Sequence, residues 1–188
     1  MYKLFNICSY IGRGITIPMK YSSKKGEIYQ FRYSDIQKNG TILLDDRFRY
    51  NVTDKEKTKE LHYIENQDIV FPELVRNNID LKMIQKPSDK ILTYSSRIIY
   101  IRVIKELYNP IFLGILLSSQ KFQQRLLQEV YMPSKGYADV SQIRLENLRN
   151  FEIPFIPIEQ QKEIMKKEKM KLDKINKLKE EINELYDL

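Results

Sequence analysis

The sequence is poor in the residues from which metal and covalent chemistry is usually built. It has one cysteine, Cys8, and one histidine, His62. A lone cysteine excludes an internal disulfide, and Cys8 with His62 falls short of the ligand set of a structural zinc site. Both read as packing or surface residues, with His62 in a charged, solvated segment. There is no Walker loop, no nucleophile standing with a partner histidine, and no metal-binding cluster. No apolar run approaches the roughly 18 residues that span a membrane. The N-terminal stretch MYKLFNICSYIGRG lacks the long apolar segment of a signal peptide. These absences predict a cytoplasmic binding protein rather than an enzyme, with no cofactor and no metal. Glycine and proline are missing beyond Pro157, so nothing there breaks a helix before Leu188.

What is present suits a folded protein. The chain has 188 residues, 42% of them hydrophobic, enough for a core, and 11% aromatic, which argues against disorder. That length predicts one globular domain plus an appendage: residues 1–157, then a helix over 158–188. The charge divides at the same boundary. The helix carries eight lysines and eight acids, so the whole excess of +7 lies on residues 1–157. A basic domain suits a polyanion, of which nucleic acid is the commonest, and a neutral helix suits protein contacts.

The helix opens with Pro157, whose missing N–H is no loss in a first turn, and with Glu159 and Glu163 near its positive end. Ile164, Leu172, Ile175, Leu178, Ile182 and Leu185 follow at steps of mostly three and four residues. From Ile175 to Leu185 the steps are those of a coiled coil; upstream, Glu168 and Lys171 fall on the seam. A lone helix with so narrow a stripe is marginal in water. The stripe is expected to pair with another helix, in a second copy or another protein; the alternative is that it folds back on its own domain.

Within residues 1–157 the pattern predicts a mixed α/β (α+β) fold with an irregular sheet. Residues 1–11 could be a strand or a helix start, and Gly12-Arg13-Gly14 marks a turn. Strands are predicted at Glu27–Tyr33, Thr41–Leu44, Asp68–Phe71, Leu81–Ile84 and Ile98–Ile104, the last (IIYIRVI) being the strongest. Asp45–Lys59 reads as an exposed loop. Asn109 caps a helix running to about Glu129. A loop at Met132–Tyr137, a short helix at Ser141–Leu148 and a short strand at Phe151–Ile156 complete the domain.

Two catalytic patterns can be traced, and neither is compelling. Asn109-Pro110-Ile111-Phe112 is similar to the Asn-Pro-Pro-aromatic box of amino methyltransferases, but Gly12-Arg13-Gly14 lacks the context of a cofactor loop, and capping accounts for Asn-Pro. Glu73, Asp80 and Lys82 match a Mg²⁺-dependent nuclease pattern, in which acids and a lysine gather the metal and a water. Three residue types match by chance often. A basic coiled-coil adaptor that binds only protein is a further alternative.

Basic loops with aromatics are the expected nucleic-acid footprint, because Lys and Arg neutralise phosphates while Arg, Asn and Gln read base edges. The groups are Arg13 and Lys20; Lys24 and Lys25; Arg47, Arg49 and Tyr50; Arg76, Asn77 and Asn78; and Ser134, Lys135, Gly136 and Tyr137. The last group offers backbone N–H groups, an ammonium and a flat ring. The Asn78 loop combines an arginine with two amides.

Four pieces, in order, resemble the specificity (S) subunit of type I restriction-modification systems. Asn66-Gln67-Asp68-Ile69-Val70-Phe71 is similar to that family's Gly-Asp-Ile-Leu entry into a strand. Pro110 to Ser119, with Gln123 and Leu126-Leu127, resembles its Leu-x-Ser helix. Lys135 to Val140, with Ile143 and Leu148, follows. Phe151 to Ile164, FEIPFIPIEQQKEI, is similar to its Ile-Pro-x-Pro-x-x-Glu-Gln-x-x-Ile passage and is the most specific. The resemblance implies a non-catalytic target-recognition domain reading one half of a bipartite double-stranded DNA site. It also implies a helix that spaces two such domains and docks DNA methyltransferase subunits and a restriction translocase. Gln67 stands where the family has glycine. One domain and one helix, where the family usually has two of each, resemble a half-subunit. A homodimer, or pairing with a second recognition-domain chain, would rebuild the whole. At roughly 1.5 Å per residue the helix would extend about 46 Å.

Overall fold

The computed structural model describes residues 1–52, 60–87, 89–134 and 139–170. In chain order the elements are β1 (Tyr2–Lys3), β2 (Cys8–Arg13), β3 (Ile28–Phe31), β4 (Arg49–Tyr50), β5 (Ile69–Pro72), β6 (Leu74–Val75), β7 (Lys82–Met83), β8 (Ile91–Tyr94), β9 (Ile98–Val103), α1 (Pro110–Ser118), α2 (Gln120–Glu129), β10 (Tyr131–Pro133), β11 (Ser141–Ile143), α3 (Leu145–Asn150), β12 (Glu152–Ile153) and a helix α4 over 158–170. The expected mixed α/β class is what is found, with the strands divided among four small sheets.

The centre is the four-stranded sheet β2-β9-β5-β7, antiparallel throughout. One of its two inner strands is β9, whose side chains alternate between two cores. Ile99, Ile101 and Val103 face the larger core, with Leu113 and Leu117 of α1, Phe122 and Leu126 of α2, and Leu148 of α3. Ile98 and Tyr100 face a second core shared with Phe31, Leu92 and Tyr94. A strand covered on both faces reads as a nearly continuous apolar run, which is why IIYIRVI stands out. The second core is aromatic: the Tyr94 and Tyr100 rings stack at 4.0 Å, and Tyr10 stacks on Tyr100 at 4.7 Å.

One acid lies in this interior. Asp68 is 1% exposed, and its carboxylate accepts two bonds from Arg102, at 2.9 Å from Nε and 2.7 Å from Nη2. The Tyr94 hydroxyl and the Glu65 N–H also donate to it, at 2.7 and 2.9 Å. Burying a carboxylate is costly unless its oxygens are so satisfied. The acid in the Asn66–Phe71 piece is therefore a structural clamp. His62 is half-buried rather than fully solvated: its Nδ1 lies 2.9 Å from the Tyr10 hydroxyl and 2.9 Å from the Arg13 carbonyl, against the aromatic stack.

Several expectations need correction. Gly12-Arg13-Gly14 is not a turn, because β2 runs on through Arg13 paired with Ile99. Gly14 is needed for close approach, since a β-carbon there would strike the Tyr94 carbonyl. Thr41–Leu44 forms only a bridge, Ile36 to Ile42, beside a turn whose Gly40 has a φ of 87°. Asp45–Lys59 is not simply loop, for β4 pairs with β3; residues 53–59 lie outside the described residues. The 110–129 helix is two, broken at Ser119, which adopts extended ψ and bonds its hydroxyl back to the Leu116 carbonyl at 2.7 Å. Ser141–Leu148 is not one helix: Ser141–Ile143 is a strand between β10 and β6, and the helix begins at Leu145. Asn109 caps α1 as expected, its side chain accepting from the Ile111 and Phe112 N–H groups.

Candidate nucleic-acid interface

Three distant segments meet at one end of the central sheet. β2 ends at Arg13, β9 begins just after Arg97, and β5 ends just before Glu73. The registers Arg13 to Ile99 and Pro72 to Ile98 bring these ends level. The sheet β10-β11-β6 joins them, with Leu74 opposite Gln142 and Val75 opposite Ser141. Between the two lies an open groove of about 600 Å³, lined by Glu73, Arg76, Arg97, Ser134, Val140 and Gln142 among others.

The polar groups of the groove fall into two kinds. Arg13 and Glu73 are paired, Nη1 to Oε1 at 3.1 Å, and Gln142 Nε2 donates to the same Glu73 oxygen at 3.3 Å. Arg76 and Arg97 are exposed and have no ion-pair partner among the described residues. Most other arginines here do: Arg32 with Asp35, Arg47 with Asp45, Arg49 with Asp46, Arg102 with Asp68 and Arg125 with Glu129. The groove thus carries uncompensated positive charge, which attracts an anion. Asn77 and Asn78 are exposed next to Arg76, on a loop anchored by buried Val75 and Ile79.

The expected basic groups are therefore sorted by the fold. Arg76 and Ser134 line one groove, Arg13 reaches its wall through the pair with Glu73, and Asn77 and Asn78 follow Arg76 in the sequence. Lys135, Gly136 and Tyr137 lie outside the described residues, between Ser134 and Val140 in the sequence. Lys20, Lys24, Lys25, Arg47 and Arg49 form a separate group at the β3–β4 edge, where Ser22 bridges Tyr50 and the Asn51 N–H donates to the Tyr21 carbonyl. Within it Arg49 is a packing residue, its Nε donating to the Gly26 carbonyl at 2.9 Å and its guanidinium lying over the Tyr29 ring. The side chain of Arg47 is held by Asp45, which sits at the N-terminus of a short 3-10 turn and whose pKa the Arg47 hydrogen bonds lower to about 2. Tyr50 is buried. Lys24 and Lys25 are exposed.

Sequence reasoning misses Arg97 and Gln142. Arg97 lies in the tight turn between β8 and β9, and that turn is recognisable only once Ile91–Tyr94 is seen as a strand. The sequence pattern puts Gln142 on a helix, where its side chain would not reach Glu73. The nuclease pattern does not assemble. Glu73 is engaged by Arg13 and Gln142, while Lys82 donates to the Ile36 carbonyl at 2.7 Å and lies 3.5 Å from Asp80. Among the described residues no three His, Cys, Asp or Glu side chains gather as metal ligands.

The root of the C-terminal helix is locked to the domain by Gln161, which is fully buried. Its Oε1 accepts from the Asn109 N–H at 2.8 Å and its Nε2 donates to the Ile156 carbonyl at 2.7 Å. Ile164, expected on the partner-facing stripe, instead packs with Met165 against the domain's own larger core. Leu172, Ile175, Leu178, Ile182 and Leu185 lie outside the described residues. No helix among the described residues is long and apolar enough to cross a membrane.

No protein-family model matches the sequence, and no curated protein gives a significant match. Solved structures do match. The HsdS subunit from Thermoanaerobacter tengcongensis is 20% identical, with 94% of this chain and 43% of that chain covered at a TM-score of 0.60. A chain from a type I R-M system, solved to explain complex assembly and conformational transition, is 15% identical, with coverage of 94% and 38% and a TM-score of 0.55. The type I restriction-modification S subunit from M. genitalium is more distant, at 14% identity, 82% and 33% coverage, and a TM-score of 0.45. This chain therefore has the fold of a type I restriction-modification S subunit, over less than half the length of the subunits it matches.

Proposed function

We propose that the chain is a non-catalytic specificity subunit of a type I restriction-modification system. Residues 1–157 grip one half of a bipartite duplex site, and residues 158–188 form a helix that pairs with another helix. The observation that carries this proposal is the groove of an S-subunit fold furnished with Arg76 and Arg97, neither of which has an ion-pair partner among the described residues. Two exposed guanidiniums at the rim of an open groove suit the phosphates of a duplex. The surplus charge of the domain would add long-range attraction.

Residues 158–188 would pair this recognition domain with a second one, carried by a second copy or by another chain. The helix supports that pairing. Residues 166–170 are all exposed, and five consecutive helical residues cover every side of a helix, so α4 has left its own domain by that point. A helix lying flat on the domain would bury a residue in each turn. An apolar stripe beyond residue 170 then needs a partner, either a second copy or another chain. The methyltransferase subunits, and through them the restriction translocase, would dock on the paired helices.

Electrophoretic shift of duplex DNA across a salt series tests the binding claim. The affinity should fall steeply with salt, and indifference to both DNA and salt would leave the protein-adaptor alternative standing. Mapping of methylated sites in cells with and without this chain tests the specificity claim, with loss of one methylated motif as the expected result.

A further inference from the structure

Glu73 is an anomaly in a groove built to hold an anion. A carboxylate there repels phosphate, so affinity for a DNA backbone does not account for it. Its neighbours suggest another use. Arg13 donates to Glu73 through Nη1 alone, leaving Nε and Nη2 with no partner among the described residues. Nε and Nη2 form one side of the guanidinium fork, with two parallel N–H groups. Glu73 receives Arg13 and Gln142 on the same oxygen, Oε1, and Oε2 has no partner among the described residues. The pair is reachable: the Arg13 side chain is 42% exposed and that of Glu73 is 18% exposed. It is also firmly mounted, because Arg13 is the last residue of β2 and the Ile143 N–H holds the Glu73 carbonyl at 3.1 Å.

Two adjacent donors beside one acceptor is the complement of a G·C pair seen from the major groove. Guanine offers N7 and O6 as acceptors, and the cytosine N4 amino group beside them is a donor. An ion pair is close to neutral, so it competes poorly for phosphate and suits an uncharged base edge. Arg76 and Arg97, exposed and without an ion-pair partner among the described residues, suit the flanking backbone.

We propose that Arg13 and Glu73 together read a single G·C base pair. Arg13 makes the bidentate contact to guanine, and Glu73 both positions Arg13 and accepts from cytosine. This rests on the specificity-subunit proposal above and assigns its first base-reading residues.

The test is selection of bound duplexes from a randomised library by the full chain, compared with Arg13→Ala, Arg13→Lys, Glu73→Gln and Arg76→Ala, each checked for an unchanged circular dichroism spectrum. The wild-type chain should enrich a motif containing one required G·C pair. Arg13→Ala and Arg13→Lys should relax that position alone, by about 5- to 150-fold. Glu73→Gln should weaken the same position. Arg76→Ala should instead lower affinity evenly over all sequences and reduce the salt slope by about one. If the Arg13 variants enrich the wild-type motif with every position intact, the base-reading assignment is overturned while the specificity-subunit proposal stands. If the wild-type chain enriches no motif, both are overturned. Should Arg13→Ala fail to fold, Arg13→Lys, which keeps the charge and the stem, decides between the same outcomes.

Discussion

Gln67 has a φ of 73°, in the left-handed region that side chains with a β-carbon enter at a cost of roughly 1–2 kcal/mol. The resemblance places a glycine at this position, and the backbone explains the preference. The N–H of Gln67 bonds to the Ile84 carbonyl at 2.9 Å, fixing the turn that delivers Asp68 to Arg102. Gln67→Gly should stabilise the protein by roughly 0.5–1 kcal/mol, net of glycine's greater freedom when unfolded. A thermal melt should register this as a rise of a few degrees. Cys8 gives a pH-dependent test. Burial raises its thiol from 9.0 to about 12, so the folded chain holds a proton that the unfolded chain gives up near 9.0. Its contribution to stability is therefore intact below 9.0 and is lost as the pH climbs towards about 12. At pH 8 iodoacetamide should label Cys8 slowly in buffer and quickly in urea. From sequence, burial of Cys8 is one of two open readings, whereas the clamp around Asp68 is not visible, because its partners Tyr94 and Arg102 sit on other strands.

Among the elements, those with a strong internal period are legible and those defined by a neighbour are not. The β9 run and the cap at Asn109 announce themselves. Ile91–Tyr94 has too few residues to declare itself, and it becomes a strand through parallel pairing with β3. The break at Ser119 is a competition between a helical N–H ladder and a serine hydroxyl, which apolar spacing does not register. Gln161 shows the same dependence. In the sequence it is one glutamine of a charged helix; in the fold it joins the start of α4 to the start of α1. Gln161→Leu would take the side-chain partner from the part-buried Asn109 N–H and Ile156 carbonyl, at up to roughly 1–3 kcal/mol each. Urea unfolding followed by circular dichroism should show a midpoint well below the wild-type value. A midpoint unchanged within error would mean that the helix is not anchored there.

At the scale of the molecule, the division of charge between domain and helix is plain in the sequence, and so is the basic character of the domain. Which basic residues stand together is not, because Arg76 and Arg97 are brought to one groove, with Arg13 paired to Glu73 at its wall, by strand order rather than by proximity in the chain. The proposed pairing through residues 171–188 is testable by deletion. A chain ending at Met170 keeps the seated turn with Gln161 and Ile164 and should fold with an unchanged melting temperature. It should elute as a monomer by light scattering at concentrations where the full chain is a dimer or larger. If the full chain is itself monomeric at about 100 µM, above the micromolar range of modest protein pairs, self-pairing through the helix is ruled out and the partner is another chain.

The position of β9 has a consequence for how the groove meets a ligand. That strand is bonded to β2 on one side and β5 on the other and has a core on each face, so its amides should be the last to exchange with deuterated solvent, opening only when the whole domain unfolds. Arg97 precedes this strand directly, and Arg13 is registered on it. The groups proposed to meet a duplex thus stand at the edge of this strand, and little backbone ordering would remain to be done on contact. Association should accordingly be fast and should leave the protection pattern of β9 unaltered.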